Sequence, residues 1–494
     1  MGNTVYGHRL KTLFDEATAT PMTRRQLGQR AAALGIPASL LTVTLLRGAH
    51  EAVAQGAENP LSVDPATPLD VVIFKGGYGD DFAIYVKDEM YAKIYPDAEI
   101  EYAGTQRLQE QYQARVVDGS PPDIMLNAGA GNFNTTTLYN QDQLANLDDL
   151  MAAPAYGQDG VTFADSLKAG TQQGGVFDSS QFVLKHVINL NGIWYNQALF
   201  DENGWAYPET WDEMLALCET IKTETDIAPW TYQGLYPYYV VNLFDQMAFK
   251  AGGYDAMLKL DNLAEDAWTQ EPVRASLEGL AALYDNDYIM EGTSGLSHTE
   301  SQTFWLQGDA VFIPCGSWLE NEMKDVLAEL PEFEMTVRPS PSMTADDALP
   351  MSAVISAATA DYIVFANGAN VQGGKEYLRL LFSQEGSRVF SELTHAATVV
   401  EGSTEGLDLG PAYASVRETI DAAGENTWTT NYDAWYADLY EEAQTTMGGV
   451  MTGNVTVDEM IERMQAMTDQ VREDDSIPKY TREAPASSEA TPIS

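Results

Sequence analysis

Leu69-Asp70-Val71-Val72-Ile73-Phe74-Lys75-Gly76-Gly77-Tyr78-Gly79-Asp80-Asp81 is the stretch from which the fold can be read. Val71 to Phe74 is a continuous apolar run, the mark of a strand buried on both faces. A glycine-rich loop follows it. Phe82, Val86, Met90 and Ile94 then recur every four residues, which predicts a helix with Asp80 or Asp81 at its N-cap and Pro96 ending it. A short strand at Glu99–Tyr102 comes next, then a helix through Leu108, Tyr112 and Val116. A turn at 119–122 leads to a buried strand at Asp123–Leu126. Strand, helix, strand, helix, strand predicts a parallel α/β sheet.

Downstream the alternation continues. Phe182–Tyr195 reads as a long strand, and Thr210-x-x-Glu213 is a capping box before a helix through Leu215, Cys218 and Ile221. Val273, Leu277, Leu280 and Tyr284 mark another helix, and Ala310–Ile313 and Tyr362–Phe365 two more strands. A second box, Thr456-x-x-Glu459, precedes Met460, Ile461, Met464 and Met467. After Asp474 the chain turns polar, and residues 476–494 are expected to be a disordered tail.

Upstream, residues 55–68 read as a linker and 1–54 as a leader. Thr23-Arg24-Arg25-Gln26-Leu27, an apolar run from Leu34 to Leu46 and Ala52-Val53-Ala54 form a basic head, a greasy middle and a small-x-small end. That is an export signal, and its paired arginines point to the twin-arginine route. The apolar middle is short for a membrane span. Residues 1–21 do not belong to such a signal, and Met22 is an alternative start. No cysteine lies at the cleavage point after Ala54, so no lipid anchor is expected. The protein is expected outside the cytoplasm, secreted or at the cell surface.

The formal net charge is −46. That argues against nucleic acid and anionic lipid as partners. The acids are scattered and form a solvated face; a salt-rich habitat would screen them, and an ordinary acidic protein fits equally. Cys218 and Cys315 allow one bridge or two buried thiols. His186, His298 and His395, the three histidines after the leader, are too far apart for a metal-binding pair. No nucleophile elbow, phosphate loop or dinucleotide fingerprint occurs. No metal, cofactor or catalytic residue is therefore expected. The carboxylate pair of an exported glycoside hydrolase stays open, because acids are everywhere.

What the chain does offer is aromatics beside glycines and amides. They lie at Gly77-Tyr78-Gly79, at Trp230 to Tyr239, at Phe304-Trp305, at Gly316 to Asn321 and at Trp428 to Tyr436. Aromatic faces take the C–H faces of pyranose rings, and amides and carboxylates bind the hydroxyls, so a polar neutral ligand fits. Most aromatics simply fill cores, and Trp211 and Trp268 read as packing residues.

Two motifs carry a family resemblance. Tyr195-Asn196-Gln197-Ala198-Leu199-Phe200 with Pro208-Glu209-Thr210-Trp211-Asp212-Glu213 is the first, and Gly308-Asp309-Ala310-Val311-Phe312 with Gly316-Ser317-Trp318 the second. Together they resemble the sugar-binding subunits of ABC importers over about residues 69–475. Val71 to Asp81, Gly234 to Tyr239, His298 to Trp305 and Phe312 to Asn321 resemble the branch that binds N-acetylglucosamine and N,N′-diacetylchitobiose.

The resemblance implies a monomeric, two-lobed α/β periplasmic-binding-protein fold of the maltose-binding type. One lobe would hold 69–186 with 353–408, the other 187–352 with 409–475. A sugar would sit in the cleft, and the closed protein would dock on a membrane permease. It implies stacking by Trp318, Trp435 and Tyr238, with Tyr78, Tyr236 and Tyr436 nearby. Hydroxyls would be read by Asp80, Asp81 and Glu320, with Asp80 and Asp81 competing as helix caps. Asn127 and Gln302 would read an acetamido group, beside Ala128 and Gly129. A different oligosaccharide is the alternative within the class.

Overall fold

The computed structural model describes residues 59–483. The leader and residues 484–494 lie outside the described residues. The apolar run forms β1, Leu69–Phe74. Helix α1 opens at Asp81–Tyr85 and continues through a wider turn, Val86–Tyr91, to Ile94. Then come β2 (Ile100–Thr105), α2 (Leu108–Val117) and β3 (Ile124–Asn127). β1 pairs in parallel with both other strands, Val72 lying opposite Ala103 and Met125. Helix α3, Thr135–Asn140, follows, capped by the Asn134 side chain.

The long strand β4 spans Val183–Asn196. After it the chain forms α4 (Trp211–Glu224, with the expected capping box), β5 (Ala228–Trp230) and α5 (Tyr238–Asp261). It continues through α6 (Glu271–Asp285), α7 (His298–Leu306), β6 (Ala310–Gly316), α8 (Leu319–Glu322) and β7 (Met335–Arg338). It returns along β8, Val354–Val364. Beyond that lie α9 (Val371–Leu381), α10 (Gln384–Thr394), α11 (Gly410–Ala423), β9 (Thr427–Trp428), α12 (Tyr432–Trp435), α13 (Ala437–Val450) and α14 (Val457–Glu473).

The strands join in the order β2-β1-β3-β8-β4-β6-β5, with β7 on β4 and β9 on β8. β4 and β8 are antiparallel from Val183–Ile363 to Leu190–Ser356. They run through the middle of the molecule, and the apolar cores lie on either side. Val71, Ile73, Phe82, Leu126, Leu184, Tyr362, Tyr377 and Phe390 share one core. Ile193, Trp211, Trp230, Phe244, Trp268, Phe312 and Met460 share the other. β4 leaves the first core after Val187 and enters the second side at Leu190. The fold is thus a two-lobed mixed α/β fold in which long strands cross between lobes. No helix among the described residues is long and apolar enough to cross a membrane.

Three local expectations change. Asp80 occupies the N-cap position of α1, but its side chain makes no cap bond. Leu61 and Val63, read as linker, belong to the first core, with Asn59 fixing the turn through its bonds to Val63. The tail read as disordered from 476 is packed as far as 483: Ile477 and Tyr480 rest on the second core and Arg482 pairs with buried Asp261. In both segments one or two apolar or cationic residues among polar ones find a partner distant in sequence.

Candidate functional site

The loop after β1 meets the turn between β6 and α8 where the lobes face each other. Asn321 Nδ2 donates to the Gly77 carbonyl at 2.5 Å. A Cβ on Gly77 would lie 2.8 Å from Trp318 Cδ1, so only glycine lets the first lobe approach that ring so closely. Ser317, just before Trp318, is held by Asn189 of β4: its N–H and hydroxyl both bond Asn189 Oδ1, at 3.1 and 2.8 Å. The crossing strand thereby positions the tryptophan. Tyr78 packs edge-on against Phe390 at 5.3 Å, and its hydroxyl is buried beside Ser317.

A polar cluster forms around Glu322 on the second lobe. Gln302 Nε2 donates to Glu322 Oε2 at 2.8 Å, and His298 Nε2 lies 3.4 Å from Glu322 Oε1. The Tyr236 ring meets His298 edge-on at 5.3 Å. Tyr238 stacks on Tyr239 at 4.2 Å, and Tyr239 lies 6.0 Å from Trp318. Burial pushes the Tyr78 and Tyr238 hydroxyls well up, and nearby Glu322 adds to this. Both phenols therefore stay neutral donors at physiological pH. Gln302 Oε1 is buried with no bonded partner among the described residues, and the buried Tyr78 hydroxyl has the Ser317 side chain beside it. Aromatic faces with a few convergent polar atoms suit a neutral polar ligand.

Of the residues selected from sequence, Tyr78, Tyr236, Tyr238, Gln302 and Trp318 come together here. Others are occupied elsewhere. The Asp80 carboxylate is buried, 2.8 Å from Lys75 Nζ and 3.2 Å from the Tyr102 hydroxyl. Asp81 is exposed in the first turn of α1. Asn127 is buried and uses both ends of its amide, at 2.8 Å each, on the backbone of Phe133. It pins the loop rather than reading a ligand. Ala128 rests on the first core, and Gly129, with φ +80°, passes tightly over the Phe74 ring.

Glu320 turns toward the lobe crossing, where its Oε1 lies 3.1 Å from His395 Nδ1. That hydrogen bond raises the His395 pKa above its usual value. Tyr436 is buried and bonds the backbone of Tyr480. Trp435 stacks on Tyr480 at 5.4 Å. Sequence reading missed Glu322 and Asp433. Glu322 looks like any acid of a short helix until Gln302 and His298 converge on it. Asp433 is half-buried beside Trp435, and burial pushes its carboxyl up to about 7. Among the described residues no group of histidines, cysteines and acids could hold a metal ion.

Residues 76–387 match the family described as bacterial extracellular solute-binding protein. The chain is 31% identical over 427 residues to a diacetylchitobiose binding protein of Streptomyces coelicolor, covering 86% of this chain and 89% of that one. Among solved structures it resembles a chitin oligosaccharide binding protein, with a TM-score of 0.65 and 17% identity over 81% of this chain and 98% of that one. It also resembles the solute-binding protein RafE in complex with raffinose, with a TM-score of 0.66 and 17% identity over 82% and 99%. The two structural likenesses speak for the fold alone.

Proposed function

The chain belongs to the bacterial extracellular solute-binding protein family, and from that premise we propose that it captures N-acetylglucosamine or N,N′-diacetylchitobiose and delivers it to the membrane permease of an ABC importer. The observation that carries this reading is the identity to the diacetylchitobiose binding protein, which runs over most of both chains. The site chemistry supports it. Tyr78, Tyr236, Tyr238 and Trp318 offer aromatic surface, and the cluster of buried Gln302 with Glu322 and His298 backs it with polar atoms.

Binding would close the lobes, taken as 69–186 with 353–408 and 187–352 with 409–475. Contacts of the Asn321–Gly77 kind would join the ligand in holding them shut. The protein binds as a monomer and turns nothing over. It leaves the cytoplasm by the twin-arginine route directed by residues 22–55.

Calorimetry with N-acetylglucosamine, diacetylchitobiose, maltose and cellobiose tests the reading. Binding confined to maltose or cellobiose would replace the substrate but keep the class. Release of monomer from diacetylchitobiose would indicate a glycoside hydrolase instead. Trp318→Ala is expected to weaken binding of the acetylated sugar by about 1–3 kcal/mol. An unchanged affinity would remove Trp318 from the site.

A further inference from the structure

The chain does not leave the molecule after α14. Residues 476–483 fold back over the second lobe, and Arg482 anchors them. Its guanidinium lies 3.4 Å over the Trp428 ring, pairs with Asp261 at 3.0 Å and donates to the Thr429 carbonyl. Its backbone exchanges two bonds with the Asn262 side chain, at 2.7 and 2.8 Å. Asp261 also accepts from the N–H groups of Asn431 and Tyr432, so the anchor is tied to the start of α12.

Tyr480 sits at the other end of the same helix. Its N–H donates to the Tyr436 hydroxyl at 3.1 Å, and its ring stacks on Trp435 with an interplanar angle of 26°. Its hydroxyl then reaches the first lobe, 3.3 Å from Asn140 Oδ1 at the end of α3. The opposite end of α3 already touches α12, since Asn134 Nδ2 and Thr136 Oγ1 donate to the Ala434 carbonyl at 3.0 and 3.1 Å. Trp435 thus lies where the lobes meet, with one aromatic face covered by a residue from the end of the chain. A sugar ring that stacked there would have to displace Tyr480.

We propose that residues 476–483 form a strap that closes the Trp435 end of the cleft and limits the length of saccharide the protein accepts. The length limit rests on the saccharide reading above, whereas the closure does not. A short ligand stays clear of Tyr480. A longer one competes with its stacking contact and its bond across the lobes, while Arg482 keeps the strap from swinging aside.

Full-length wild type, Tyr480→Ala and Tyr480→Phe are titrated with diacetylchitobiose and N-acetylchitopentaose. Wild type is expected to bind the disaccharide at least about tenfold more tightly than the pentasaccharide, and Tyr480→Ala to reduce that ratio to within about threefold. Tyr480→Phe keeps the stacking ring and is expected to stay near wild type. A ratio that Tyr480→Ala leaves unchanged overturns the proposal. If wild type binds neither sugar, the saccharide reading fails, and small-angle scattering of the ligand-free proteins decides the strap. A larger radius of gyration in Tyr480→Ala supports it, and an equal radius overturns it.

Discussion

Replacing Glu376 by alanine is expected to destabilise the protein by about 3–5 kcal/mol. Glu376 and Arg379 form a two-pronged ion pair on α9, with Nε–Oε2 and Nη2–Oε1 distances of 2.7 Å, and neither side chain sees appreciable solvent. Burial raises the Glu376 pKa, and Arg379 offsets part of that. The guanidinium makes two further contacts, a bond to the Pro154 carbonyl at 3.1 Å and a position over the Tyr156 ring. Truncating the acid leaves this cation in the first core without its counter-charge. The cost is that unpaired buried charge, more than the value of the pair itself. The double variant Glu376→Leu/Arg379→Met should therefore recover most of the loss, because both desolvated charges leave together. Urea denaturation of the three proteins checks this. A single-variant loss under about 1 kcal/mol would mean the pair is hydrated and the argument wrong.

The region around β1 was legible because its signals are local. An apolar run bounded by glycines makes a buried strand, and four-residue spacing makes a helix, so residues 69–126 could be laid out before any contact was known. Thr210-x-x-Glu213 and Thr456-x-x-Glu459 were equally local, and both capping boxes form. The crossing half of β8 was not legible. Val354 to Asp361 reads Val-Ile-Ser-Ala-Ala-Thr-Ala-Asp, too small and polar for a core strand. It forms a strand because β4 lies beside it, with Ser356 opposite Leu190 and Thr359 opposite Val187. The aromatic run at 230–239 was seen as surface chemistry. It also holds the start of the buried helix α5, where Tyr238 is the first residue.

The candidate site divides in the same way. Tyr78, Tyr236, Tyr238 and Trp318 stood out as aromatics at turns, a placement that already suggests a ligand-facing surface. Asp80 and Asn127 also follow strands, but a polar side chain in such a place can turn inward. Lys75 and Tyr102 take the first, and the backbone of Phe133 takes the second. Which way such a residue turns depends on partners that spacing does not reveal. The same holds for Glu322, which only the convergence of α7 and α8 makes distinctive.

Acidification is expected to remove up to about 5 kcal/mol of stability through His186 alone. Its ring is fully buried between Phe382 and Phe390, at 4.6 and 4.8 Å, and faces Tyr362 edge-on. Among the described residues its side chain bonds only the Ser387 hydroxyl, at 3.1 Å. Burial without a counter-charge pushes its pKa from 6.5 down to about 3. The unfolded chain takes up a proton as pH falls through 6.5, and the folded chain resists until about 3. The contribution is therefore whole above pH 6.5 and is lost progressively toward pH 3, about 3.5 units at about 1.4 kcal/mol each.

Other groups act in the opposite sense. Asp245, Asp261 and Asp433 have carboxyl pKa values raised by burial, so they favour the folded state as pH falls, and the strong net negative charge is relieved as well. The wild-type profile alone is thus ambiguous, and a difference isolates the histidine. His186→Phe keeps an aromatic ring among aromatic neighbours, and Ser387 retains its bond to the Leu381 carbonyl. The stability of this variant relative to wild type should rise steadily between pH 6.5 and 3. A difference that stays flat would show that His186 titrates normally, and hence that water reaches the ring. The His186 carbonyl accepts from Val399 N–H, and Ile188 N–H donates to Ala397, exactly at the stretch where β4 passes between lobes. Because the folded ring stays neutral until about pH 3, acid is expected to cost stability at this crossing without altering ligand capture by the molecules that remain folded, in wild type and His186→Phe alike.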